Sequence, residues 1–169
     1  MLYPTYTEIF CQSISIDTFI LNDLVAEVVE MSQQVSQRQI KLQLPMELIE
    51  VETDRDRTKQ ILINLIDNAL KYSPDPEPVT VAVIPAQQRV LIEVSDRGPG
   101  IALHHQIRIF ERFYRVDEAR TRSGGSGLGL AIVKTLLDQM GGQITLRSQP
   151  NSGSTFTIIL PRFHQPSGE

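Results

Sequence analysis

Three polar residues in the stretch NLIDNALKY, Asn64, Asn68 and Lys71, have the types and spacing to do chemistry together. At ~100° per residue a helix brings them within about 60° of one another, while Leu65, Ile66, Ala69 and Leu70 spread over the remaining faces. The helix is therefore expected to be largely buried, with two amides and an ammonium along one side. Buried polar groups require partners. Where the chain supplies none, a ligand with oxygen atoms and negative charge would, and a metal-bound phosphate chain has that chemistry.

Two glycine-containing segments and an arginine-rich stretch extend this reading. GGSGLGLAIVK lacks the Gly-Lys-Ser/Thr ending of a P-loop, and Gly125, Gly127 and Gly129 are spaced G-x-G-x-G after a loop, which is not the dinucleotide fingerprint. What remains is a Gly-rich loop feeding the N-terminus of a helix, where backbone N–H groups and the positive dipole end meet an anion. A flexible linker is the plainer alternative. DRGPGI (96–101) places a carboxylate at a strand end followed by two glycines. Such a carboxylate can accept from an exocyclic amine such as adenine N6 and would repel a guanine O6, although Asp beside Gly and Pro also simply makes turns. Between these segments Arg112, Arg115, Arg120 and Arg122 are mixed with Glu111, Asp117 and Glu118. Most such runs are solvated surface, yet a guanidinium matches phosphate oxygens in a bidentate way. Phe110 and Phe113 are expected to anchor this stretch to the core. His104, His105 and His164 lack metal-ligand spacing and are expected to face solvent.

The bulk numbers set limits. With 169 residues, 41% hydrophobic and 21% charged, the chain suits one α/β or α+β domain. A net charge of -4 argues against a general nucleic-acid surface. The single Cys11 excludes an internal disulfide and a cysteine zinc site, which fits a reducing compartment. No apolar run approaches the ~20 residues that span a bilayer, and no leader pattern opens the chain; the expectation is a soluble domain without membrane contact.

Elements must hold these residues in place. Residues 1–16 read as a linker or tail. Asp17 looks like an N-cap, and Leu21, Leu24, Val25, Val28 and Val35 recur at helical spacing to about Gln39. Short strands are expected at 40–44 and 48–51. Asp54 and Asp56 form an acidic first turn for a helix over 54–72, which Ser73-Pro74 stops. VTVAVI (79–84) and RVLIEVS (89–95) alternate as an antiparallel hairpin. A short helix over 103–110 leads into the Arg- and Gly-rich stretch, expected to be a mobile surface loop. A helix over 128–140 ends at Gly141-Gly142, and strands 143–148 and 154–161 close the domain around the turn PNSG. The domain is expected to span 17–161, with 162–169 a tail.

Taken in order, NLIDNALKYSP, DRGPGI, IFERFYR and GGSGLGLAIV resemble the N, G1, F and G2 boxes of the sensor histidine kinases, in the ATPase superfamily shared with gyrase, Hsp90 and MutL. The likeness covers about residues 17–161. It implies a two-layer α/β sandwich, a mixed, mostly antiparallel sheet packed on helices, with ATP held under a mobile lid. Asn68 resembles the Mg2+ ligand, with Asn64 one turn earlier on the same wall. Lys71 would meet phosphate and Tyr72 would pack against the base. Asp96 is similar to the adenine-reading carboxylate, with Gly98 and Gly100 giving it room and Ile101 among the binding residues of that box. Arg115 resembles the arginine that reaches the phosphates, and Gly125, Gly127, Leu128 and Gly129 resemble the hinge and phosphate cradle of the lid. The catalytic set implied is Asn64, Asn68 and Arg115.

One position separates transfer from hydrolysis in that family. Hydrolysing relatives carry a Glu general base one turn before the Mg2+-binding Asn; Asn64 stands there and cannot take a proton. Asp67 is adjacent but points about 100° away from Asn68. None of the three histidines fits the family's phosphoacceptor box, so the resemblance implies an ATP-binding catalytic domain, excised or naturally truncated, that acts on a histidine-containing dimerisation domain, with a response regulator downstream and a cytoplasmic location. The alternatives are a free-standing kinase acting in trans and a non-catalytic nucleotide-binding module.

Overall fold

The computed structural model describes residues 13–116 and 127–162. Its elements are β1 (Asp17–Ile20), α1 (Leu21–Ser36), β2 (Ile40–Gln43), β3 (Glu50–Thr53), α2 (Arg55–Tyr72), β4 (Val79–Pro85), β5 (Arg89–Asp96), α3 (Leu103–Gln106), α4 (Gly129–Gln139), β6 (Gln143–Ser148) and β7 (Ser154–Pro161). Five strands form one sheet in the order β2-β4-β5-β7-β6, with β2 parallel to β4 and every other pair antiparallel. The expected hairpin is present, with Val81 opposite Val94 and Val83 opposite Ile92.

Strict alternation gives the sheet one apolar face. Val79, Val81, Val83, Val90, Ile92, Val94, Phe156, Ile158 and Leu160 are buried, and the residues between them point to the other side. Onto this face packs α2 with Ile61, Leu62, Leu65, Ile66 and Ala69 buried, and α2 in turn contacts α1 and α4. The architecture is thus the expected two-layer α/β sandwich with a mixed, mostly antiparallel sheet.

Helix α2 begins where its cap says it should. The Asp54 side chain accepts from the Arg57 N–H at 3.0 Å, and Thr58 Oγ1 donates to the Asp54 carbonyl at 2.8 Å. Ser73 ends the helix in extended backbone, as the residue before a proline favours.

The N-terminal helix differs from expectation. Asp17 caps nothing: residues 17–20 form β1, antiparallel to β3, with Asp17 opposite Thr53 and Ile20 opposite Glu50. Thr18, Phe19 and Ile20 suit a strand, and β3 offers them an edge that local sequence cannot reveal. Helix α1 therefore starts at Leu21, whose N–H donates to the Ile49 carbonyl at 2.8 Å. The buried Asn22 fixes the same junction, donating to Glu47 O and accepting from Ile49 N–H. The helix closes at Ser36, before Gln37 in the left-handed conformation. Among the described residues no helix is long and apolar enough to cross a membrane.

Two glycines separate backbone strain from crowding. Gly100 and Gly141 have φ of +71° and +70°; a Cβ at Gly100 would lie 1.8 Å from the Gln149 carbonyl oxygen, while one at Gly141 meets nothing. Gly141→Ala is expected to cost about 1–2 kcal/mol from φ alone. Gly100→Ala is expected to cost clearly more, and the order of the two melting temperatures in a calorimetric scan checks this.

Candidate functional site

The polar stripe of α2 opens onto the surface. Asn64 and Asn68 are half-buried and Lys71 and Tyr72 are exposed, whereas the buried side of α2 is Arg57, Thr58, Ile61, Leu62, Leu65, Ile66 and Ala69. The stripe therefore lines a wall facing outward, which corrects the expectation of a largely buried helix. Its members differ in how they are engaged. Asn64 Nδ2 donates to the Gln60 carbonyl at 2.9 Å, one turn back, which directs Oδ1 toward the start of α4: a Cβ on Gly129 would lie 3.4 Å from that oxygen. The Asn68 amide has no hydrogen-bond partner among the described residues. Lys71 Nζ lies 5.3 Å from the centre of the Tyr72 ring. Partial desolvation, then the nearby Arg115 guanidinium, lowers its ammonium pKa below the usual lysine value. The Arg115 charge thus reaches Lys71, which stands one helical turn beyond the Asn68 amide on α2.

The end of β5 forms the next part of the wall. Asp96 Oδ1 accepts from the Gly98 N–H at 2.7 Å. Burial raises the Asp96 pKa, opposed by hydrogen bonds from the backbone N–H groups of Gly98 and Ser154. Gly98 is confined by its surroundings: a Cβ there would lie 2.7 Å from the Tyr72 carbonyl oxygen and 2.8 Å from Asp96 Oδ1. The glycine lets the end of α2 and the strand end touch.

Gly100 serves a different contact, with the Gln149–Pro150 backbone of the turn between β6 and β7. That turn is fastened to the 98–101 segment by Asn151 N–H to Pro99 O (2.6 Å) and Gly153 N–H to Gly98 O (3.1 Å). The Ile101 N–H donates to Ser148 Oγ at 2.8 Å, and Gln106 Nε2 donates to the carbonyls of Ile101 and Ser148.

The start of α4 completes the arrangement. Gly127 accepts from the Phe113 N–H at 3.1 Å and has φ +70°; a Cβ there would press on the Phe113 backbone at 3.0 Å. Leu128 is the N-cap position of α4, ahead of Gly129. Arg115 lies two residues beyond Phe113, so this contact ties the arginine-bearing segment to the helix start. Gly125, together with Asp117, Glu118, Arg120, Arg122, His164 and Cys11, lies outside the described residues.

Two expectations about side chains are corrected. Phe110 does anchor its segment, meeting Phe156 edge-on at 6.5 Å between ring centres. Phe113 does not: it is 71% exposed, at a point where the backbone takes a φ of +63°. His105 is half-buried, with Nδ1 2.5 Å from the Tyr114 hydroxyl, while His104 is exposed. Ser148, Ser154 and Gln106 had no signal in the sequence, since they act on or through backbone groups that any residue carries.

The donor set also bears on a metal. Among the described residues no three His, Cys, Asp or Glu side chains gather to hold one. A hard divalent cation at this wall would take the Asn68 carbonyl oxygen and obtain its other ligands from a bound anion and water, the coordination Mg2+ prefers beside phosphates. The wall fits such an ion.

Architecture and wall together define an ATPase-type α/β sandwich, and residues 53–164 match the family described as histidine kinase-, DNA gyrase B-, and HSP90-like ATPase. The chain belongs to that family. It is 48% identical over 106 residues to the sensor-like histidine kinase SenX3 of Mycolicibacterium smegmatis, covering 62% of this chain and 28% of SenX3. The mycobacterial sensor histidine kinase MprB superposes with a TM-score of 0.76 at 26% identity, over 88% of this chain and 98% of that one. Full-length ShkA in complex with AMPPNP superposes with a TM-score of 0.77 at 29% identity, over 89% of this chain and 32% of that one. The chain spans less than half the length of the curated relatives it matches.

Asp96 gives a test by pH. With its folded pKa raised, the group contributes stability below the ordinary carboxylate value of 3.8 and loses it as pH rises through the higher folded value. A carboxyl carbon titration by NMR is expected to place its midpoint above 3.8. Relative to Asp96→Asn, the parent chain is expected to lose stability across that same window as pH rises.

Proposed function

We propose that the chain binds Mg-ATP and supplies the γ-phosphoryl group to a histidine on a dimerisation domain outside this sequence, as the catalytic domain, residues 17–161, of a two-component sensor kinase. The observation that carries this reading is that the last turn of α2, with Asn68 and Lys71, is packed through Tyr72 O and Gly98 against the Asp96 carboxylate, within reach of the Arg115 charge, an arrangement suited to a base at one end and phosphate at the other. The names of the sensor histidine kinases it resembles support the same assignment, as does the nucleotide analogue in the ShkA complex. A response regulator downstream and a position on the cytoplasmic side belong to the same proposal.

Each residue then has a task. Asp96 accepts a hydrogen bond from the adenine amine, with Gly98 and Ile101 bordering the base and Tyr72 packing on it. Lys71 and Arg115 bind phosphate oxygens, and the backbone of Gly127, Leu128 and Gly129 at the head of α4 receives the same charge, with Gly125 preceding it. Asn68 would hold Mg2+ through its carbonyl oxygen, and the ion would offset phosphate charge during transfer. Gly100 shapes the 98–101 segment through the β6–β7 turn.

Asn64 has a positioning task toward Gly129, with its amide nitrogen donating to Gln60 O, and offers no base because a carboxamide takes no proton near neutral pH. Water is therefore left unactivated and transfer to a side chain is favoured over hydrolysis. A free-standing kinase or a purely regulatory nucleotide binder would use the same wall, and labelling separates them.

Titration calorimetry with Mg-ATP is expected to show binding that Asp96→Asn weakens about tenfold or more, since a donor replaces a charged acceptor worth ~1.5–3 kcal/mol. Unchanged affinity in that variant would refute the adenine assignment. With γ-labelled ATP, a histidine-bearing dimerisation fragment from the same kinase is expected to become labelled, and Asn68→Asp to slow labelling. Tight ATP binding without any labelling would favour the regulatory module.

A further inference from the structure

Arg38 stands between α1 and β2, away from the wall, and its side chain is only 17% exposed. Its guanidinium donates to four backbone carbonyls. Nη1 meets Leu70 O at 2.5 Å and Ser73 O at 3.0 Å, and Nη2 meets Pro74 O at 3.3 Å and Glu77 O at 3.0 Å. Nε lies 3.9 Å from the Asp75 carboxylate, a solvent-exposed partner. The last carbonyls of a helix lack intrahelical donors and carry the negative dipole end. One planar fork here serves the final turn of α2 and the segment leaving it, which a point charge on a flexible stem would not reproduce.

The segment so held is the one that meets the base end of the wall. Tyr72 O is the atom against which Gly98 is packed. The Arg97 N–H reaches Ser73 Oγ at 3.5 Å, and the Arg97 guanidinium pairs with the Glu77 carboxylate at 3.5 Å. Gly98 in turn gives its N–H to Asp96. A continuous line of contacts runs from Arg38 through residues 70–77 to Gly98 and the Asp96 carboxylate.

We infer that Arg38 is a positioning residue for base recognition: by gripping the carbonyls of residues 70–77 it seats Tyr72 against Gly98 and thereby aims Asp96. This rests on the nucleotide-binding reading above. Arg38 touches no ligand; its effect is on which base the site accepts. Without the fork the 70–77 segment can relax away from Gly98, and the hydrogen bond that orients Asp96 loses its stop.

The test uses the whole chain with Arg38→Gln and Arg38→Lys, comparing calorimetric affinities for Mg-ATP and Mg-GTP and checking fold by circular dichroism. Arg38→Gln is expected to bind ATP roughly tenfold more weakly, equivalent to ~1.4 kcal/mol, and to show a smaller preference for ATP over GTP, with Arg38→Lys in between. A folded Arg38→Gln chain with unchanged ATP affinity overturns the inference. So does weaker binding with an unchanged ATP-to-GTP ratio, the signature of a purely structural role. Should Arg38→Gln not fold, the same two measurements on Arg38→Lys decide. Failure of the unaltered chain to bind Mg-ATP would instead overturn the nucleotide reading itself.

Discussion

The buried Asp54 carboxylate at the head of α2 is the point from which the domain is held in register. One oxygen caps the helix at Arg57 N–H; the other lies 3.3 Å from Arg57 Nε and accepts from the Ser15 N–H at 3.0 Å. The Arg57 guanidinium also donates to Gln139 Oε1 at the far end of α4. A buried ion pair of this kind is weak evidence of net stability, but removing one partner leaves an uncompensated charge. Its value lies in direction: the chain entering the domain, the start of α2 and the end of α4 are tied to one carboxylate. Since α2 also contacts α1 and the sheet, the rotation of this helix about its axis fixes where its polar stripe faces.

From that setting the wall follows. Leu65, Ile66 and Ala69 face the core, so Asn64, Asn68 and Lys71 must face away. Cations, amide and carboxylate arrive from α2, the segment after α3 and the end of β5. The glycines are needed where backbones approach each other, at Gly98 against Tyr72 and at Gly127 against Phe113. Packing between main chains leaves no room for a methyl group at Gly98 and would press one hard against Phe113 at Gly127.

Much of this was legible in the residues themselves. Alternation at 79–84 and 89–95 marks a hairpin because each strand buries one face. Asp54 and Ser73-Pro74 mark the ends of α2 because capping and pre-proline sterics are local. Strand β1 was hidden because its partner β3 is remote in sequence, and Asp17 carries the same side chain whether it caps a helix or pairs with Thr53. Phe113 misled: it stands exposed at a backbone φ that an aromatic residue seldom takes. Ser154 and the turn around Asn151 act through main-chain N–H groups, which have no signature in sequence. The burial of the stripe was misjudged for a simpler reason: helical periodicity says which residues share a face and is silent on whether another layer covers it.

The parallel pairing of β2 with β4 sets a limit on how this domain can vary. Parallel neighbours require a crossover, and here residues 44–78, with β3 and α2 inside them, make that crossing before Val79 comes to lie beside Ile40. One residue gained or lost within α2 would turn everything beyond it by about 100°, carrying the stripe off the open wall while the strands on both sides stay anchored. A length change is therefore expected to be tolerated more readily at the exposed 86–88 connection, which lies far along the chain from the stripe, than within α2.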